Sequence, residues 1–231
     1  SVRVRAAAFT TAVGQVLTAT AHEPDPPVLA GVRVEVSADG IVLTATDRYR
    51  LSTRTLVPAT PPETPWSATL DADDLRLALP WARRQHVLRL VLGSAAVGVH
   101  ADGSRDCRTL PGPFPDCRLM LASLPQVRTR VVVARNAVVR ALETLPGQQV
   151  RVAVSEDTVT LGQTVLPAVV TGPATTLAFD VTTLHPALAT AVGPDVMLDL
   201  AAPDEPAVVR SADDGDLTTV AMPVRLIGTA R

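Results

Sequence analysis

The sequence predicts an α+β fold of two tandem domains, each a duplicated β-α-β-β-β unit whose two helices pack on antiparallel sheets. Three observations carry that prediction. Short stretches of alternating apolar and polar residues recur along the chain, separated by a few helical runs. The stretch "VRVEVSADGIVLTAT", which starts at Val32, returns as "VRVAVSEDTVTLGQT" at Val150, 118 residues later. Finally, "LDADDLRLAL" (70–79) is echoed by "FDVTTLHPAL" (179–188), with Asp71, Leu75 and Leu79 matching Asp180, Leu184 and Leu188. Two echoes in the same order mark a duplication. The offset shrinks to 109 at the second echo, so the first half holds extra residues between them, placed in the proline-rich "VPATPPETPW" (57–66). The seam is expected near "LPQVR" (124–128), giving domains 1–125 and 126–231.

Each element has its own signal. "VRVR" alternates as a strand, and "AAAFTTAVGQVLTATA" places Phe9, Val13, Val16 and Leu17 on one helical face. Strands "GVRVEVS", "GIVLTATD" and "YRLSTRTL" follow. The theme repeats with strand "SATLD", helix "ADDLRLALPWA" and strands "VLRLVLG", "AAVGVHA" and "CRTL". Asp71 or Asp73 is the expected N-cap of that helix. The second half runs strand "RTRVVV", helix "RNAVVRALETL" and strands "QVRVAVS", "TVTLG" and "LPAVVT". It ends with strand "TLAFDV", helix "TTLHPALATA" and strands "DVMLDLA", "AVVRSAD" and "LTTVAMPVRL". Thr182 or Thr183 is expected to cap the last helix, with Pro186 confined to its first turn. One such unit has a sheet that a single short helix cannot cover. Two units side by side bury a shared core.

Composition bounds the function. The 231 residues are 47% hydrophobic and 19% charged, enough to bury a core. Net charge is −2, so no whole-chain basic field draws nucleic acid. All 21 basic residues are arginine, which reads with the Ala, Val and Pro content as a GC-rich genome. No apolar run reaches the length of a membrane span, and the N-terminal stretch lacks signal-peptide features, so a cytoplasmic protein is expected. Cys107 and Cys117 lie ten apart, fit neither a redox pair nor a zinc site, and are read as free thiols. The four histidines are scattered. The acidic clusters "DADD" (71–74) and "ADDGD" (212–216) read as helix-start charge and a hairpin turn. No catalytic constellation, metal site or cofactor motif emerges, and a non-enzymatic binding module is expected.

Four motifs then set the kinship: "PVLAGVRVE" (27–35), "ATDRYRL" (45–51), "FPDCRLML" (114–121) and "RSADDGDLTTVAMPVRL" (210–226). In this order they resemble the beta subunit of bacterial DNA polymerase III, the sliding clamp, specifically its second and third domains. The resemblance implies two DNA-clamp-like domains. It also implies an apolar groove at their junction that receives short peptides from partner proteins. Carried onto this sequence, the groove residues are Leu29, Thr46, Arg48, Arg50 and Leu51, with Val220, Met222, Pro223, Val224, Arg225 and Leu226 from the tail. Apolar walls with a few polar anchors, and an adaptable methionine, suit an extended peptide. Three positions depart from the family pattern: Arg48 replaces a glycine, Ala122 a proline and Cys117 a tyrosine.

The resemblance also implies double-stranded DNA facing the helices, held weakly and without sequence readout. The candidates are Arg76, Arg83, Arg84, Arg135 and Arg140. A clamp ring holds twelve strand–helix units, so four units per chain imply three copies, or a fragment whose missing part supplies the rest. The expected partners are therefore further copies of this chain, peptide-bearing proteins and DNA, with no membrane. Two other readings stand beside this one: the effector or oligomerisation half of a MerR-type transcription regulator, and an accessory subunit of a genuine clamp.

Overall fold

The computed structural model describes residues 1–212 and 216–226, and all that follows concerns those residues. Asp213, Asp214 and Gly215 of the expected acidic hairpin lie outside them. The chain divides into two compact units, Ser1–Cys117 and Arg118–Arg231. Helix and strand content is mixed throughout, as an α+β fold requires.

In the first unit, β1 (Val2–Arg5) buries Val2 and Val4 and exposes Arg3 and Arg5. Helix α1 (Ala6–Val16) follows directly, with Phe9, Ala12, Val13 and Val16 at helical spacing on the buried face. It tightens into a 3-10 turn over Leu17–Ala19, so the helix is shorter than its sequence pattern suggests. Strands β2 (Gly31–Ser37), β3 (Gly40–Thr46) and β4 (Arg50–Leu56) form a meander. The second repeat is β5 (Trp66–Asp71), α2 (Ala72–Ala82), β6 (Val87–Leu92), β7 (Ala96–Ala101) and β8 (Gly103–Arg108). The Asp71 carboxylate accepts the N–H groups of Asp73 and Asp74, both 3.0 Å away, and so caps α2. The last strand begins upstream of the expected "CRTL" and shares only Cys107 and Arg108 with it, because Gly103 (φ 96) allows a tight turn right after Ala101.

The two repeats exchange their first strands. β1 of the first repeat pairs with β6, giving the sheet β1-β6-β7-β8. β5 of the second repeat pairs with β2, giving β4-β3-β2-β5. Both sheets pack their apolar faces on α1 and α2 in one core that includes Val4, Phe9, Val34, Leu43, Leu75 and Leu90.

A short helix α3 (Cys117–Ala122) begins at Cys117. The second unit then repeats the plan: β9 (Thr129–Ala134), α4 (Arg135–Glu143), β10 (Gln149–Val154), β11 (Thr158–Leu161) and β12 (Thr164–Thr171). Next come β13 (Thr175–Asp180), α5 (Val181–Ala189), β14 (Asp195–Leu200), β15 (Ala207–Ser211) and β16 (Leu217–Ala221). The exchange recurs, since β9 pairs with β14 and β13 with β10. Here β9 also pairs with β12, so the strands run β13-β10-β11-β12-β9-β14-β15-β16. Phe179, Leu142, Leu184 and Leu188 fill the core beneath.

Helix α5 departs from expectation twice. Its N-cap is Asp180, the counterpart of Asp71, and neither Thr182 nor Thr183 fills that position. Asp180 makes no side-chain cap bond and accepts Gln149 Nε2 at 3.4 Å instead. Pro186 sits in the second turn, not the first. Its missing N–H removes one intrahelical bond, which packing of Leu184, Ala187 and Leu188 into the core outweighs.

Candidate functional site

In the first unit the "ATDRYRL" stretch is the end of β3, a turn, and the start of β4. The turn is cross-bonded from both sides. Asp47 Oδ1 accepts the N–H groups of Tyr49 (2.9 Å) and Arg50 (3.0 Å). Thr46 Oγ1 donates to the Arg50 carbonyl at 2.7 Å and accepts the Arg48 N–H at 3.2 Å. Arg50 is buried and its Nε lies 3.2 Å from Asp47 Oδ2, so its charge is spent on holding the turn. These bonds hold Arg48 at φ 81, the one left-handed non-glycine among the described residues. The family's glycine at this position thus marks a backbone need that an arginine meets under strain.

Burial separates the predicted groove residues into two classes. Leu29, Thr46, Arg50 and Leu51 are buried. Leu29 sits in the 3-10 turn Pro27–Ala30, with its carbonyl accepting the Ala21 N–H at 2.9 Å. Arg48 is exposed, as is Tyr49, which is 67% exposed and was not among the predicted groove residues. The Arg48 side chain makes no hydrogen bond or ion pair to a described residue, so it projects a free cation beside a phenol.

In the second unit the predicted strand "LTTVAMPVRL" stops at Ala221. Pro223 lacks an N–H, and Met222–Leu226 run on outside any strand. Val224 fixes this tail by donating its N–H to the Ala178 carbonyl of β13 at 2.8 Å. Val220 is buried, while Met222, Pro223 and Val224 are half-buried and Arg225 and Leu226 exposed. Apolar side chains that neither pair in a sheet nor reach a core are the raw material of a peptide-binding wall.

The five arginines predicted to face DNA do not behave alike. Arg76 donates to Asp73 Oδ1 (2.7 Å) and Thr20 Oγ1 (3.1 Å). Arg135 donates to the carbonyls of Gly193 (2.8 Å) and Ala189 (3.3 Å), closing the end of α5. Arg83 and Arg84 lie exposed just past α2, and Arg140 is exposed on α4. The exposed positions of α1 are Ala7, Ala8 and Thr11, which carry no charge. His185 on α5 reaches Glu143 on α4 at 3.1 Å.

Both cysteines are free and buried. Burial pushes the Cys107 thiol up to about 12 and the Cys117 thiol up to about 11, so neither supplies a thiolate nucleophile at neutral pH. Among the described residues no group of three or more His, Cys, Asp or Glu is placed to hold a metal ion. No helix among them is long and apolar enough to cross a membrane.

Residues 3–116 match the family model described as DNA polymerase III beta subunit, central domain. The chain is 29% identical over 152 residues to the beta sliding clamp of Streptomyces coelicolor, covering 60% of this chain and 36% of that protein. It is 24% identical over 237 residues to the beta sliding clamp of Synechococcus elongatus, covering 91% of this chain and 61% of that one. The crystal structure of a DNA polymerase sliding clamp from Pseudomonas aeruginosa superposes with a TM-score of 0.89 at 20% identity, over 98% of this chain and 67% of that one. The chain therefore spans less than two thirds of the length of the curated relatives it matches, 36% of one and 61% of the other. These matches favour clamp kinship over the MerR-type regulator.

Proposed function

Because this chain is a DNA polymerase III beta-like protein, resembling that subunit's second and third domains, we propose that it is a non-enzymatic recruitment module. It takes up short peptides of partner proteins in an apolar groove. The candidate residues for it are Leu29, Thr46, Arg48, Arg50 and Leu51 of the first unit and Val220, Met222, Pro223, Val224, Arg225 and Leu226 of the second. The observation that carries this reading is the tail: β16 ends at Ala221, and Met222, Val224 and Leu226 are left as partly exposed apolar side chains outside any strand. Neighbouring apolar side chains left at the surface in this way supply the kind of patch that marks an interaction site. Arg48 and Tyr49 at the rim favour peptides that carry a carboxylate near an apolar anchor.

Several copies, three by the unit count, would assemble a ring, and exposed Arg83, Arg84 and Arg140 would meet DNA phosphates inside it. With so few arginines per chain available for it, that contact is weak and sensitive to salt. The test is direct binding of a clamp-binding peptide to the full chain by isothermal titration. The wild type is expected to bind at micromolar Kd, and Met222→Ala with Leu226→Ala to weaken binding about tenfold. Equal binding by the double variant, or none by the wild type, would remove the groove from the account.

A further inference from the structure

The sheet β1-β6-β7-β8 of the first unit carries a row of basic side chains on its solvent face. The register pairs Arg3 with Arg89, Arg89 with His100 and His100 with Ser104. Paired positions share a face at about 5 Å spacing, so Arg3, Arg89 and His100 stand side by side across three strands. Val2, Val4, Leu88 and Leu90 face the other way, into the core. Arg5, two residues along β1 from Arg3, extends the row on the same face.

The four strands hold five arginines and a single carboxylate, Asp106, in a chain of net charge −2. Two of the arginines are engaged elsewhere. Arg108 binds Asp74 at 2.8 Å and Asp71 at 3.4 Å, and Arg105 lies over the Trp81 ring at 4.9 Å. Asp106 stands opposite Gly98 on the same face, beside the strand position over which the His100 ring folds, and not opposite Arg3 or Arg89. No described carboxylate contacts Arg3, Arg5 or Arg89. Like charges in register weaken a sheet, so the Arg3–Arg89 pair costs stability.

The row also has a shaped setting. A depression of about 310 Å³ is lined by Arg3, Val87, Arg89, His100 and Ala101. The His100 ring folds back over Gly98, where any Cβ would come within 2.5 Å of Nε2. A glycine inside a strand weakens it, and here it makes the room in which the imidazole lies.

We propose that this depression binds phosphate, on the sheet face opposite the helices and apart from the peptide groove. Arg3 and Arg89 supply guanidinium forks and His100 a further N–H. Phosphate fits better than a carboxylate because donors converge from several side chains. One fork satisfies both oxygens of a carboxylate, whereas a phosphate offers oxygens to more than one. A nucleotide and a nucleic-acid strand share this chemistry.

The full chain and an Arg3→Gln, Arg89→Gln double variant are to be titrated at low salt with sodium pyrophosphate and with a fluorescein-labelled thymidine oligonucleotide. The double variant is expected to lose about tenfold in affinity for whichever probe binds. Its log–log salt slope for the oligonucleotide should be shallower by about one to two. Displacement of the labelled strand by pyrophosphate identifies a free phosphate ligand, and strand binding that pyrophosphate does not displace identifies nucleic acid. Arg83→Gln with Arg84→Gln, on the helix side, should leave pyrophosphate binding unchanged. The double variant should melt no lower than the wild type, because repulsion in the row is relieved. Undiminished binding by the double variant, no binding of either probe by the wild type, or a lower melting temperature overturns the site.

Discussion

Arg48 shows how one residue reports on both fold and function. Its φ of 81 brings Cβ close to the following carbonyl, a conflict that glycine lacks. The surrounding bonds from Asp47 and Thr46 keep the turn in place regardless. Arg48→Gly should therefore raise stability by about 0.5–1 kcal/mol in urea unfolding, with no change in the m-value. The same variant should lose preference for acidic over neutral peptides. A stability gain without any shift in peptide preference would leave Arg48 as a strained bystander. The "ATDRYRL" motif was legible because its residues are contiguous. The Arg3, Arg89 and His100 row was not, because only strand register brings three distant positions onto one face.

Elements were legible in proportion to the strength of their end signals. Helix α2 spans the predicted residues, since Asp71 caps it and Asp73 and Asp74 favour its dipole. Helix α5 starts two or three residues earlier than capping by Thr182 or Thr183 would place it, because Asp180 occupies the N-cap position equivalent to Asp71 without making the capping bond. The two aspartates thus make a matched pair for mutation. Asp71→Ala should cost about 1 kcal/mol or more, as it loses the N-cap. It also loses the 3.4 Å ion pair to Arg108. Asp180→Ala should cost well under half as much by chemical denaturation. Equal losses at both sites would mean that the cap bonds at Asp71 contribute nothing measurable. The tail was misread for a related reason: alternation continues through "AMPVRL", but Pro223 cannot join a ladder and pairing stops at Ala221.

At the scale of the molecule, the internal echoes revealed the duplication, while the exchange of first strands between repeats is a matter of pairing that one-dimensional patterns do not encode. That exchange has a consequence for cooperativity. In the first unit β1 completes the sheet of the second repeat and β5 that of the first, so neither repeat keeps a complete sheet if the other opens. Trp66 and Trp81, the two tryptophans of the chain, both lie in this unit, as does Cys107 on β8. In a Cys117→Ser background, Cys107 should become reactive to maleimide at the same urea midpoint at which tryptophan fluorescence changes. Earlier thiol exposure would show β8 peeling from a unit that is not one cooperative body. Alkaline pH sharpens the measurement, because the folded thiol is raised from 9.0 to about 12, chiefly by burial. Between those values the unfolded chain has released the thiol proton and the folded chain has kept it, so the unfolded state binds fewer protons and stability falls as pH rises. The urea midpoint of both probes should therefore move down together above pH 9.0, and a Cys107→Ala variant should lose that added slope.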